Sequence, residues 1–134
     1  MSEMGDAEFL AAFESATLAE GQFHHVDHVR AAWLLLGLCP PAEALNRFAS
    51  ALVRLAASFQ KSSLYHETIT WAYLLLIGER IARSGRRFSF EEFARANPGL
   101  MTWRPSVLTS YYREETLASP LARRVFVLPD RLMP

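Results

Sequence analysis

Residues 65–83 read YHETITWAYLLLIGERIAR, and this stretch decides the fold class of the chain. From Ile69 to Ile77 almost every side chain is apolar, which is typical of a helix that is hydrophobic on all sides. Such a helix is normally buried, so we predict that it lies at the centre of the protein and that Gly85 ends it. The apolar run falls well short of the roughly 20 residues that span a bilayer, and we therefore expect no membrane partner.

The segments on either side of this stretch also follow helical spacing. Apolar periodicity and helix-breaking prolines predict further helices at about residues 9–17, 25–38, 41–59, 90–96 and 103–112, with a short one after Ser119–Pro120. We expect Gly21 to close the first of these helices in a left-handed conformation. Residues 125–129, VFVLP, are predicted to form an extended tail.

The clearest local signal is the sequence FSFEEF at residues 88–93. Ser89 is expected to cap a helix and Glu92 to complete a capping box, with Phe88 and Phe93 forming a hydrophobic staple. Because no segment alternates with the period of a strand, we predict an all-α fold. The expected architecture is a single compact, irregular helical bundle over residues 1–134, with short C-terminal helices and the extended tail.

Composition limits the class of protein and of partner. The chain has 134 residues, 51% of them hydrophobic, which excludes intrinsic disorder and suits one domain. Its 14 basic and 14 acidic residues balance, so no overall positive field favours nucleic acid. Carboxylates nevertheless predominate in the first 79 residues and arginines in the remainder. A lone Cys39 and the lack of a basic signal-peptide segment in residues 1–6 predict a cytoplasmic protein.

All four histidines lie at two predicted helix starts, FHHVDH at residues 23–28 and YHET at residues 65–68. His24 and His28 are four residues apart and share one face of a helix, and His25 is an alternative to His24 because it lies three residues from His28. Packing of the two helices would bring His66 to the same place. We therefore predict that His24, His28 and His66 line an interior polar pocket and bind a divalent metal such as zinc, iron or manganese.

A metal-free site is the alternative interpretation of the same residues. The positive end of a helix dipole disfavours a protonated imidazole, so His66 is expected to stay neutral and to act as a base. Asp27 or Glu67 would orient an imidazole or take part in acid–base catalysis. With or without a metal, this hypothesis describes a small enzyme that acts on a small-molecule ligand.

A third interpretation gives the histidines a structural role alone. A histidine at a helix start commonly caps the helix or packs in the core, and neither HExxH nor CxxC is present to indicate zinc. The protein is then a non-enzymatic helical module, and the opposite charges of its two halves would attract a partner. The sequence alone does not decide between an enzyme and such a module, and it leaves the oligomeric state open.

Glu79 is the one carboxylate on the predicted central helix that shares a stripe with Ala72 and Leu75. A buried carboxylate needs a counter-ion, and Arg30 and Arg83 are the candidates. We expect a buried ion pair that fixes the register of the helices.

Several of these segments resemble an uncharacterised family of small, mostly bacterial all-helical proteins. The similarity covers FHHVDHVR at residues 23–30, YHETIT at 65–70, SPLAR at 119–123 and FVLPD at 126–130, hence most of the chain from about residue 20 onwards. The resemblance implies an all-helical domain. It implies no activity and no cofactor, because none is assigned to that family.

Overall fold

The computed structural model describes residues 4–131, and all regular secondary structure in that range is helical. The α-helices are α1 (Asp6–Glu14), α2 (His25–Leu38), α3 (Pro41–Ser58), α4 (Glu67–Ser84), α5 (Phe90–Ala96), α6 (Glu114–Leu117) and α7 (Pro120–Arg124). Short 3-10 helices occur at Glu20–Gln22, Ser62–Leu64, Pro98–Leu100 and Val107–Ser110. The predicted all-α fold is confirmed, and no helix within residues 4–131 is long and apolar enough to cross a membrane.

The helices form two compact units. The first contains α1, α2 and α3 and ends at Tyr65, whereas the second begins at His66 and contains α4 to α7. In the first unit, α3 packs against both α1 and α2. In the second, α4 packs against α7 and against the 3-10 helix Val107–Ser110. That residues 1–134 fold as one domain stays a prediction.

Aromatic rings and ion pairs join the helices of the first unit, and Arg30 on α2 pairs with Asp6 on α1 at 2.8 Å. The centroid of the Phe13 ring on α1 lies 5.5 Å from that of Phe23 and 6.0 Å from that of Phe48 on α3. Nearby in sequence, the Arg47 guanidinium donates to both carboxylate oxygens of Glu14, with 2.9 Å between Nε and Oε2. These hydrogen bonds hold the pKa of Glu14 below its usual value and connect α1 to α3.

Helix α4 forms close to the predicted position but differs from the prediction in its burial. Tyr73 is buried in a cluster with Leu108 and Tyr112, whereas Leu75 is 46% exposed. The prediction of a helix buried on every side is therefore wrong. Glu79 pairs with Arg83, one of its two predicted partners, at 2.9 Å, so that ion pair is confirmed. Glu79 is exposed and Arg83 lies on the same helix, so the predictions that the pair is buried and that it fixes the register of different helices are wrong.

Helix α1 ends earlier than its apolar spacing predicts. Thr17 N–H donates to the Ala12 carbonyl and Ala16 N–H donates to the Phe13 carbonyl, which is the hydrogen-bond pattern of a Schellman motif. Ala16 takes the left-handed position, with φ of 58°. Gly21, the residue expected there, lies instead in the 3-10 helix Glu20–Gln22. The predicted left-handed residue after the helix is therefore present, but it is Ala16, five residues before Gly21.

Two further local predictions are wrong. Residues 103–112 form only the short 3-10 helix Val107–Ser110, in which the Ser106 hydroxyl accepts from Leu108 N–H. Phe88 is 98% exposed and forms no staple with the buried Phe93. The cap itself is present, because the Ser89 hydroxyl accepts from Glu92 N–H at 3.2 Å.

Candidate functional site

His66 is the most constrained of the predicted site residues. It occupies the N-cap position of α4 and is 7% exposed. Its Nδ1 accepts from Ile69 N–H at 3.1 Å, and its Nε2 lies 2.7 Å from the carbonyl oxygen of Leu117. Since a carbonyl oxygen only accepts, Nε2 carries the proton and Nδ1 the lone pair. Both ring nitrogens are therefore engaged with the backbone in one neutral tautomer.

The electrostatic surroundings favour the same neutral form. Burial of the ring lowers the pKa of His66 below its ordinary value, and the positive charge of Arg123 on α7 lowers it further. The hydrogen bond to Leu117 acts in the opposite direction. This lowered pKa agrees with the expectation that His66 stays neutral, and burial is its largest cause.

The residues that follow His66 hold the extended tail in place. The Thr68 hydroxyl donates to the Val125 carbonyl at 2.8 Å and accepts from Val127 N–H at 3.0 Å. Between these two residues, the Phe126 ring stacks on Trp71 with centroids 5.1 Å apart. Residues 125–127 thus lie along the first turns of α4 as a strap, and the predicted extended segment is confirmed.

The second histidine cluster surrounds the start of α2. His24 is the N-cap residue, and its side chain is 72% exposed. The Asp27 carboxylate accepts from the His24 backbone N–H at 2.9 Å, so it reaches back to the helix start. The same carboxylate lies 3.6 Å from Nδ1 of His24. The main hydrogen bond of Asp27 is therefore a local one, which satisfies a backbone N–H group at the start of α2.

His28 lies one turn into α2 against the Phe23 ring, with 4.2 Å between the ring centroids. Its Nδ1–H donates to the His24 backbone carbonyl at 3.1 Å, which leaves the lone pair on Nε2. Burial lowers the pKa of His28 to about 4. The centroid of the His25 ring lies 6.4 Å from that of His28, so His28 meets the backbone of His24 and the ring of His25.

The structure distributes the six predicted residues over two units. His24, Asp27 and His28, with the alternative His25, lie together at the start of α2. His66 and Glu67, the first residue of α4, belong to the second unit. Within residues 4–131, no group of three or more histidine, cysteine, aspartate or glutamate side chains could hold a metal ion. A metal site shared by His24, His28 and His66 stays a prediction.

Sequence reasoning missed three residues that position the start of α4 and its surroundings. Thr68 holds the strap, and the buried Tyr112 donates from its hydroxyl to the Val127 carbonyl at 2.7 Å. Asp130 accepts from Arg113 N–H at 3.0 Å and from the Thr116 hydroxyl, which satisfies the start of α6. The only available signal for Thr68 and Asp130 was their position inside the segments that carry the family resemblance.

A comparison of the chain with known protein families, with curated proteins and with solved structures finds no match. The family resemblance of its sequence segments therefore stays a prediction.

Proposed function

We propose that the protein is a non-enzymatic helical interaction module in which the histidines have structural roles. The observation that carries this proposal is the hydrogen bonding of His66. Both of its ring nitrogens are engaged with the backbone of residues 69 and 117, so the ring has no lone pair available for a metal. A base or ligand role would require the ring to give up the cap of α4, the contact with Leu117, or both.

The test compares metal content and stability in the untagged protein. We expect the protein to contain no stoichiometric metal and a chelator to leave its melting temperature unchanged. His66→Asn keeps an acceptor for Ile69 N–H, whereas His66→Phe fills similar space without any nitrogen. We therefore expect His66→Phe to destabilise more, by about 1–2 kcal/mol relative to His66→Asn. Bound zinc, iron or manganese whose removal lowers the melting temperature would contradict the proposal.

A second candidate function is a metal-dependent or acid–base site for a small molecule at the start of α2. The observation that favours it is the arrangement of His28. A backbone carbonyl fixes Nδ1–H and leaves Nε2 with its lone pair, as is usual for a histidine that binds a metal. Added zinc should then raise the melting temperature of the wild type and not that of His28→Gln. If zinc shifts the melting temperatures of the two proteins equally, this candidate function is ruled out.

A further inference from the structure

The loop between α4 and α5, residues 85–89, presents one aromatic ring to solvent; we name it the Phe88 loop. Phe88 is 98% exposed. Its backbone is fixed on both sides, because Gly85 N–H donates to Ile81 at the end of α4 and Ser89 caps α5. Arg87 has a φ of 72°, in the left-handed region, and turns the chain immediately before Phe88. The ring is therefore displayed by an ordered loop.

The residue that precedes Phe88 in the sequence, Arg87, carries a positive charge. Arg87 is exposed and makes no ion pair or side-chain hydrogen bond within residues 4–131. Arg83, in the last turn of α4, is already paired with Glu79. A partner for this loop should therefore offer an apolar surface with one carboxylate at its edge.

A surface of that chemistry exists on this chain, at the turn between α2 and α3, residues 37–43; we name it the Leu38 turn. Leu38 is 65% exposed, and Pro40 and Pro41 beside it are exposed as well. Glu43, in the first turn of α3, is exposed and has no ion pair within the described residues. The two prolines restrict the backbone, so this surface is ordered before any partner arrives.

The other exposed apolar side chains do not offer the same combination. The carboxylates near Val26 and Leu75, Asp27 and Glu79, are already bonded, and Trp103 and Val125 adjoin arginines in the sequence. Leu64 lies near Lys61, which pairs with Glu20, and Val53 is next to Arg54. Leu121 and Leu128 belong to the arginine-rich end of the chain, where Asp130 is engaged with the start of α6. The Leu38 turn therefore fits the Phe88 loop best in both polarity and charge.

We propose that the Phe88 loop of one molecule docks on the Leu38 turn of a second copy of this chain. Phe88 packs against Leu38 and the two prolines, and Arg87 pairs with Glu43. Two copies carry no net charge, so no overall repulsion opposes their association. This inference rests on the proposed function as an interaction module, and it names the partner.

Sedimentation equilibrium over a range of protein concentrations tests the inference. We expect the average mass of the wild type to rise with concentration, and Phe88→Ser and Leu38→Ser each to weaken association about tenfold or more. The matched control is Leu128→Ser, which removes another exposed leucine and should leave association unchanged. Circular dichroism and thermal unfolding confirm that each variant is folded before its mass is interpreted.

A charge exchange makes the test specific for the proposed pair. Arg87→Glu and Glu43→Arg should each weaken association, and the double variant should recover most of it. A wild type that stays monomeric at every concentration overturns the inference. So does a double variant that associates no more strongly than either single variant. Binding of a monomeric wild type to phosphatidylserine vesicles through Phe88 would also overturn it in favour of a membrane. Metal in the untagged protein would contradict the proposed function instead, and it leaves this measurement unaffected.

Discussion

At the scale of single residues, His66 and His28 differ in which ring nitrogens keep a free lone pair. His66 has both nitrogens in hydrogen bonds, whereas His28 has one nitrogen bonded to the backbone and one with a lone pair. Both rings are held in the neutral form, mainly because burial disfavours a positive charge. Neutral imidazoles of this kind make the folded state sensitive to acid.

The His28 ring gives the clearest dependence on pH. Its pKa is about 4 in the folded protein and about 6.5 when unfolded, so the unfolded chain binds more protons between these values. The stabilisation is fully present above about pH 6.5 and is lost as the pH falls toward 4, by up to about 3 kcal/mol. Urea unfolding of wild type and His28→Gln at several pH values should show this loss in the wild type. Parallel pH profiles for the two proteins would show that His28 does not titrate in this way.

At the scale of helices, the sequence predicts where a helix begins better than where it ends. Pro40 and Pro41 separate α2 from α3 at the predicted place, and Ser89 begins α5 as predicted, because prolines and caps act within a few residues. The residues that follow α1 and α3 in the left-handed conformation are not the glycines that usually mark such positions. Gln60 stands after α3 with a φ of 59°, in the left-handed position that glycine usually occupies.

Replacing Gln60 by glycine should therefore stabilise the protein. Lys61 N–H donates to Ala56 and Gln60 N–H donates to Ala57, so the Schellman motif is already complete and only the side-chain penalty changes. We expect a gain of about 0.5–1 kcal/mol after the entropy of glycine in the unfolded chain is subtracted. Chemical denaturation measures it, with Ala57→Gly inside α3 as a control that should lose about 1 kcal/mol. Destabilisation by Gln60→Gly would contradict the assignment of this motif.

Sequence reasoning fails where the partner of a segment lies far along the chain. The helix expected at residues 103–112 stops at Ser110, and the Tyr111 carbonyl accepts instead from the N–H groups of Asp130 and Arg131. The helix start at His66 was predicted, because its apolar pattern is local. Its partner Leu117, 51 residues away, was not, since no periodicity connects residues so distant in sequence.

At the scale of the whole molecule, the second unit depends on contacts that join its beginning to its end. Thr68 is fully buried and bonds to Val125 and Val127, 57 and 59 residues further along the chain. The Tyr112 hydroxyl adds a third hydrogen bond, to the Val127 carbonyl. Phe126, between Val125 and Val127 in the sequence, stacks on Trp71. The strap is therefore part of the structure of the second unit rather than a loose terminal segment.

Thr68→Val should release this strap without creating a cavity, because valine and threonine are close in volume. We expect a loss of about 2–3 kcal/mol, since two hydrogen bonds disappear and the backbone groups of Val125 and Val127 lose their partner. Hydrogen exchange should report the change as loss of protection at the Val127 amide. Thr70→Val is the matched control: Thr70 is also buried, but its hydroxyl bonds locally to the His66 carbonyl. Equal effects of the two substitutions would contradict a special role for Thr68.

The same strap constrains how the protein is made. Ribosomes add about 5–20 residues per second, so α4 emerges several seconds before the strap that satisfies Thr68. Until residue 127 has left the exit tunnel, the Thr68 hydroxyl and the face of α4 around Trp71 have no native partner. The helices of the first unit, α1 to α3, end before α4 begins, and their mutual contacts can form earlier. Translation therefore favours an order in which the first unit is complete while the nascent second unit still awaits its final residues.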